Sequence, residues 1–216
     1  MDPNQPSYPV NFSVDYPDRP LDRLTSFFRL FTVIPIAIVL GTVADGGGWG
    51  WGGWGDDDGG HSGRVAAGIG GMLFFGPLLM ILFRKKYPRW WFDWNLELQR
   101  FVNRVTAYFA LMDDRYPSTD DHQSVRLDYP EPRGDLNRFL PIVKWLLAIP
   151  HYVVLFFLHI GAVVAVVVTW FAILFTGRYP RPLFDYVEGV LRWHNRVVAY
   201  AFTLVTDRYP PFRLTP

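Results

Sequence analysis

Cysteine is absent from this 216-residue chain, and charged residues are scarce. Without cysteine there is no disulfide framework, no thiol nucleophile and no thiolate metal site. Charged residues make up 19% of the chain, whereas an ordinary soluble domain has about 25%. The 21 Lys and Arg nearly balance the 20 Asp and Glu, so no net field attracts nucleic acid. The low content of charged residues indicates that a membrane protein should be considered first.

Hydrophobic residues, by contrast, are 50% of the chain and are concentrated in long runs. The runs are 27–44, 65–83 and 139–176. A bilayer core of about 30 Å is crossed by a helix of about 20 apolar residues. One helix over 139–176 would be about 57 Å long, so we expect two spans there, 139–158 and 160–176, joined by a turn near His159–Gly161. The sequence thus predicts four transmembrane helices.

Lysine and arginine are distributed unevenly among the connections between these runs. Ten lie in 84–138 and six in 178–216, whereas 45–64 contains Arg64 alone. Connections on the cytoplasmic side of a membrane carry the excess of Lys and Arg. The asymmetry predicts a multi-pass protein with both termini in the cytoplasm and the glycine- and tryptophan-rich loop 45–64 outside.

Short sequences recur in the two halves of the chain in the same order. D-Y-P at 15–17 recurs at 128–130, Y-P-R at 87–89 recurs at 179–181, D-R-Y-P at 114–117 recurs at 207–210, Arg29 corresponds to Lys144, and Asn103 corresponds to Asn195. The identities predict two tandem units, 15–117 and 128–212, with a tail at 1–14 and a linker at 118–127. Each unit would contribute two spans and a following helix to an all-α membrane fold.

That following helix is expected at about 89–112 in the first unit and about 184–205 in the second. Both segments have apolar residues spaced three and four apart, with basic residues opposite them. The pattern is typical of a basic amphipathic helix at a membrane interface, whose arginines lie near anionic headgroups. Our candidates for contact with lipid or a partner are Arg89, Arg100, Arg104, Trp91, Trp94, Arg181, Arg192 and Arg196. The alternative is that the apolar faces pack on the spans as ordinary core.

The second unit also carries a recognisable family pattern. Its residues are Lys144-Trp145-Leu146-Leu147-Ala148-Ile149-Pro150-His151, Arg178-Tyr179-Pro180-Arg181, Phe184-Asp185, Arg192-Trp193, Arg196-Val197 and Asp207-Arg208-Tyr209-Pro210-Pro211-Phe212. With these the chain resembles, in tandem copies over about 15–212, the bacterial membrane-protein domain of unknown function numbered 4389. The first copy matches more loosely, because its Trp-Leu-Leu-Ala segment is replaced and its outer loop is expanded. The resemblance implies a bacterial inner-membrane protein and supplies no catalytic residues.

No pattern for catalysis or for a cofactor is found in the chain. There is no G-x-S-x-G, no H-E-x-x-H and no Walker sequence. His151 and His159 would lie about 12 Å apart along a helix, without a nearby carboxylate, so no shared metal is expected. The arginines of D-R-Y-P and Y-P-R would suit a lipid phosphate. We favour the simpler interpretation of D-R-Y-P, in which Asp and Arg neutralise each other while Tyr-Pro ends the helix.

We therefore expect a membrane protein that is not an enzyme, requires no cofactor and binds no nucleic acid. It would act as a scaffold or accessory subunit through membrane lipids, a membrane-protein partner or a second copy of itself. A small transporter or channel and an enzyme acting on lipid headgroups stay open as alternatives. A polar cavity between the units would favour transport, and convergence of Asp93, Asp185 and the arginines in one cleft would favour the enzyme. A filled core with outward-facing aromatic side chains would favour the scaffold.

Overall fold

The computed structural model describes residues 8–17, 19–45, 78–83, 87–118, 123–131, 137 and 139–216. Its elements in chain order are β1 (Asn11–Val14), α1 (Arg23–Asp45), α2 (Arg89–Phe109), β2 (Val125–Asp128), α3 (Leu140–Leu147), α4 (Ile149–Thr176) and α5 (Arg181–Ala201). Residues 78–83 are also helical. Helix α2 falls within the predicted amphipathic segment 89–112, and α5 begins three residues before the predicted 184.

Helices α3 and α4 follow each other almost without interruption, because Ala148 ends one and begins the other. Helix α4 has 28 residues, which corresponds to a length of about 42 Å. The predicted turn at His159–Gly161 is wrong, since these residues are helical. Gly161 permits close packing between helices instead, because a Cβ there would lie only 2.4 Å from the hydroxyl oxygen of Tyr186 on α5.

The expectation of four spans in two tandem units is also wrong. In the described part of the chain, one helical stretch, Leu140–Thr176, is long and apolar enough to cross a membrane. It contains both spans predicted for the second unit. The first predicted span falls in α1, which contains Pro35. Residues 65–77 of the second predicted span, and 46–64 of the predicted outer loop, lie outside the described residues.

A small sheet corrects the all-α prediction. Strands β1 and β2 pair antiparallel, with Asn11 opposite Asp128 and Val14 opposite Val125. Each strand alternates buried and exposed residues, and its buried side chains belong to the main core. Alternation with a period of two is the signature of a half-buried strand. The sequences N-F-S-V and V-R-L-D show it over only four residues each, which is a weak signal.

Helix α5 is the centre of the fold. It packs along α4 on one side and contacts β1 on another, and more than half of its residues are buried. Helix α2 packs on β2 and α1. Between α2 and α5 the side-chain amides of Asn103 and Asn195 exchange two hydrogen bonds, of 2.8 and 2.7 Å. The two buried amides therefore satisfy each other where α2 and α5 approach.

The start of α1 is held by a buried arginine. Arg29 forms an ion pair with Asp114, donates a hydrogen bond of 3.1 Å to the carbonyl of Tyr108, and places its guanidinium 4.4 Å from the centre of the Tyr108 ring. The partner of Asp114 is therefore a cation from another helix. The interpretation that Asp114 is neutralised by the adjacent Arg115 is wrong.

Helix α3 is held in the same way by a buried lysine in its last turn. Lys144 lies 2.7 Å from a carboxylate oxygen of Asp207 and donates a hydrogen bond of 2.7 Å to the carbonyl of Thr206. Its ammonium is 5.2 Å from the centre of the Tyr200 ring. The aspartate of each D-R-Y-P thus ties the segment that follows one helix to a buried cation of another helix.

Candidate functional site

A continuous apolar face runs along the whole of α4. The large exposed side chains on α4 are Ile149, Val153, Val154, Phe156, Phe157, Ile160, Val163, Val164, Val167, Val168, Phe171 and Phe175. At 3.6 residues per turn nearly all of them project from one side of the helix. The opposite side, with Leu155, Ala165 and Ile173, is buried against the rest of the protein. We call the exposed side of α4 the apolar face.

Neighbouring helices enlarge this surface. Phe27 of α1 stacks on Trp170 of α4 with ring centroids 6.1 Å apart, and Phe27, Phe28 and Phe31 are exposed. Helix α3 exposes most of its own apolar residues, among them Trp145. Monomeric soluble proteins rarely expose contiguous apolar patches larger than a few hundred Å². A surface of this extent indicates contact with a membrane or with another protein.

The polar side of the molecule has an open groove of about 990 Å³. It lies between α2, β2, the segment 112–115 and the segment that leads from β1 to α1. Its basic side chains are Arg19, Arg100, Arg104, Arg115 and Arg126, and its acidic ones are Asp15, Glu97, Asp113 and Asp128. The arginines come from separate parts of the chain, so only the fold brings them together.

Arg100 is the most constrained arginine of the groove. Its Nε donates a hydrogen bond of 2.9 Å to the carbonyl of Leu127, and its terminal nitrogens lie 2.7 Å from Glu97 and 3.0 Å from Asp128. It therefore links α2 to β2 and is shared between two carboxylates. Arg104 donates a hydrogen bond of 2.7 Å to the carbonyl of Ser118. Both of these predicted candidates line the groove, and both help to build its wall.

Arg19 and Arg115 are exposed arginines of the groove, and neither is among the eight predicted candidates. Arg126, the third exposed one, is paired with Asp15 at 3.1 Å. Among the described residues, no carboxylate lies within ion-pair distance of Arg19 or Arg115. No periodicity in the sequence marks this pair, because one precedes α1 and the other follows α2.

Arg192, a predicted lipid contact, lies inside the protein. Its Nε and one terminal nitrogen donate hydrogen bonds of 3.0 Å to the carbonyls of Phe12 and Leu214, and its other terminal nitrogen lies 2.6 Å from Glu188. These contacts attach β1 and the end of the chain to α5. Arg192 therefore has an internal structural role and is not available to a lipid headgroup.

Arg196 is buried even more completely. It donates hydrogen bonds of 3.2 and 3.0 Å to the carbonyls of Arg213 and Thr215. Burial, reinforced by the neighbouring cations Arg213 and Arg192, lowers the pKa of Arg196 to about 10. The guanidinium of Arg196 is thus held inside the protein by carbonyl oxygens of its own chain.

The remaining candidates lie at the surface. Arg89 begins α2 and is paired with Glu131 at 3.2 Å, both side chains being largely exposed. Trp94 is exposed and Trp91 is partly buried, with ring centroids 5.8 Å apart. Arg181 is exposed at the start of α5. The eight candidates are thus divided among the groove, the interior and the surface, and they do not form one site.

The groove reaches the C-terminal end of the apolar face. Tyr16 in its wall donates a hydrogen bond of 2.6 Å to the carbonyl of Tyr179, and the guanidinium of Arg181 lies 4.4 Å from the centre of the Tyr16 ring. The N–H of Leu21 donates a hydrogen bond of 2.9 Å to the carbonyl of Gly177, the residue that ends α4. A molecule can therefore contact both surfaces at this end of the protein.

Metal chemistry has no evident site in the described part of the chain, where no group of three or more His, Asp or Glu could hold an ion. His151 is instead part of the core. Its Nδ1 accepts a hydrogen bond of 3.1 Å from the indole N–H of Trp193, and its ring stacks on Phe212 with centroids 4.0 Å apart.

Comparison with known families identifies one domain. Residues 141–213 match the family described as Domain of unknown function (DUF4389). The match is a single copy, so the predicted tandem copies are wrong; the first half of the chain lacks the K-W-L-L-A segment. The matched region contains α4, α5 and the second D-R-Y-P. No curated protein and no solved structure matches the chain.

Proposed function

We propose that the protein is a non-catalytic membrane scaffold or accessory subunit whose apolar face contacts the acyl chains of a bilayer. The exposure of α4 is the observation that carries this proposal. A buried core helix can be as long and as apolar as Leu140–Thr176. In this helical stretch, however, only 22% of the most apolar 18 residues are buried. Such a surface is stable in contact with lipid, where it is removed from water.

The interior favours a scaffold over the two alternatives. Transport would need a polar passage, whereas the polar Asn103–Asn195 pair between α2 and α5 is buried and its amides bond each other. Headgroup chemistry would need Asp93 and Asp185 in one cleft with the arginines. Asp185 instead forms an exposed ion pair with Arg181, and neither aspartate lines the groove. Outward-facing aromatic side chains, such as Trp145, fit a membrane-facing surface.

The distribution of charge supports one orientation of the polar side. The segments 84–138 and 178–216 hold most of the lysines and arginines of the chain. Positively charged segments near a membrane remain in the cytoplasm. We therefore place the groove on the cytoplasmic side of the membrane, as part of the same proposal.

Replacing Val164 with aspartate should abolish most membrane binding. Val164 is exposed in the middle of the apolar face, and an aspartate in the centre of the acyl layer costs about 3 kcal/mol. That cost corresponds to roughly a hundredfold weaker partitioning. Flotation of the full chain with phosphatidylcholine vesicles measures the effect.

The matched control is Ser13→Asp, which adds the same charge at an exposed position of β1. We expect it to float like the unmodified chain. Circular dichroism of both variants checks that the helices persist. Equal flotation of Val164→Asp and the unmodified chain would exclude the apolar face as the lipid contact.

A further inference from the structure

We infer that the groove binds the phosphate group of an anionic phospholipid through Arg19 and Arg115. The inference rests on the proposed membrane function and adds the class of ligand. A guanidinium presents two parallel N–H donors, which match two oxygens of a phosphate, and so arginine suits this group better than a point charge does.

The charges of the groove support an anionic ligand in spite of its four carboxylates. Arg126 neutralises Asp15, and Arg100 is paired with both Glu97 and Asp128. In these five side chains every carboxylate is paired, but there are three carboxylates and only two arginines. The groove as a whole has five arginines and four carboxylates, so its positive charge comes from the arginines outside this wall. The groove residues outside this wall therefore determine which ligand the groove can bind.

The fourth carboxylate is also engaged. Asp113 accepts a hydrogen bond of 2.6 Å from the hydroxyl of Ser124 and one of 3.0 Å from the backbone N–H of Arg115. Asp113 thus contacts the backbone of Arg115, and the guanidinium of Arg115 stays exposed. The cations of Arg19 and Arg115 remain as the exposed charges that a phosphate can use.

The position of the groove favours a lipid as the source of the phosphate. The groove wall is bonded to the C-terminal end of α4 through Tyr16 and Leu21. Phe27 and Phe28 are exposed near the start of α1, which follows the groove segment 15–19. Phe175 is exposed at the end of α4. A phospholipid can therefore place its phosphate in the groove while its acyl chains stay beside these aromatic side chains.

The test compares the full chain with the double variant Arg19→Gln/Arg115→Gln on two kinds of vesicle. One kind is phosphatidylcholine alone, and the other contains added phosphatidylglycerol. Each cation near an anionic surface contributes about a fivefold increase in affinity. We expect the unmodified chain to bind the anionic vesicles more tightly than the neutral ones. In the double variant the affinity for anionic vesicles should fall about thirtyfold, while the affinity for neutral vesicles stays unchanged.

The matched control is Arg23→Gln/Arg208→Gln. Arg208 has the same place in the second D-R-Y-P that Arg115 has in the first, and both control residues are exposed outside the groove. We expect the control to keep its preference for anionic vesicles. An equal loss in both double variants would overturn the groove as the site, because surface charge in general would then explain the preference.

Two further measurements are added. One distinguishes a lipid phosphate from a soluble phosphate, and the other distinguishes failure of the groove proposal from failure of the proposed membrane function. Glycerol 3-phosphate and inorganic phosphate are added in excess to the unmodified chain, and tryptophan fluorescence reports their binding. Saturable binding of glycerol 3-phosphate, without any preference for anionic vesicles, would overturn the lipid as the ligand. Failure of the unmodified chain to bind neutral vesicles would instead contradict the proposed membrane function, whatever the groove binds.

Discussion

Replacing Asp207 with alanine should lower the free energy of unfolding by about 3–5 kcal/mol, because it leaves a buried cation without its partner. Lys144 is 0% exposed and its ammonium lies 2.7 Å from Asp207, which is 27% exposed. The remaining contacts of Lys144 are the carbonyl of Thr206 and the ring of Tyr200, and neither carries a negative charge. Chemical denaturation of the full chain in mild detergent measures the change.

Two comparisons separate a buried pair from a general loss of charge. Asp185→Ala removes an exposed carboxylate from its pair with Arg181 and should change stability by less than about 1 kcal/mol. The double variant Lys144→Met/Asp207→Leu removes both charges and should recover most of the lost stability. If Asp207→Ala were no more destabilising than Asp185→Ala, the pair would not hold α3 in place.

Replacing Arg192 with methionine should have an effect of similar size. The change leaves Glu188 without its cation and the carbonyls of Phe12 and Leu214 without donors, and loss of one partner of a buried pair costs about 3–5 kcal/mol. We expect amide hydrogen exchange to accelerate first in β1, because Arg192 attaches that strand to α5. Denaturation and hydrogen exchange together give the size and the place of the effect.

Arg126→Met is the control for this experiment. Arg126 is an arginine of the neighbouring strand β2, but its side chain is 69% exposed in its pair with Asp15. An exposed pair of this kind contributes about 0–1 kcal/mol. Similar losses in both variants would show that Arg192 contributes no more than a surface arginine, contrary to its burial.

The helices were the part of the fold that the sequence predicted best. In α2 the apolar residues recur every three or four positions, and this spacing is a local property of the chain. The turn predicted at Gly161 failed for the opposite reason. Glycine favours both turns and close helix contacts, and the contact with Tyr186 that decides between them joins residues 25 positions apart.

The site shows the same division between local and tertiary information. The positions of Arg192 and Arg196 in the sequence predict a basic side of α5. The sequence does not predict that this side is buried, because the residues that cover it belong to β1 and to 213–215. The groove likewise requires residues before α1 and after α2 to meet. Sequence periodicity describes one element at a time and carries no information about such meetings.

The most direct test of the account measures the depth of the apolar face in a bilayer. The chain has no cysteine, so Val164→Cys and Ser13→Cys each provide a single position for an environment-sensitive fluorescent label. With vesicles containing quenchers on their acyl chains, we predict strong quenching and blue-shifted emission at 164 and neither at 13. Unquenched, water-like emission at 164 in the presence of vesicles would contradict the proposal that α4 contacts lipid.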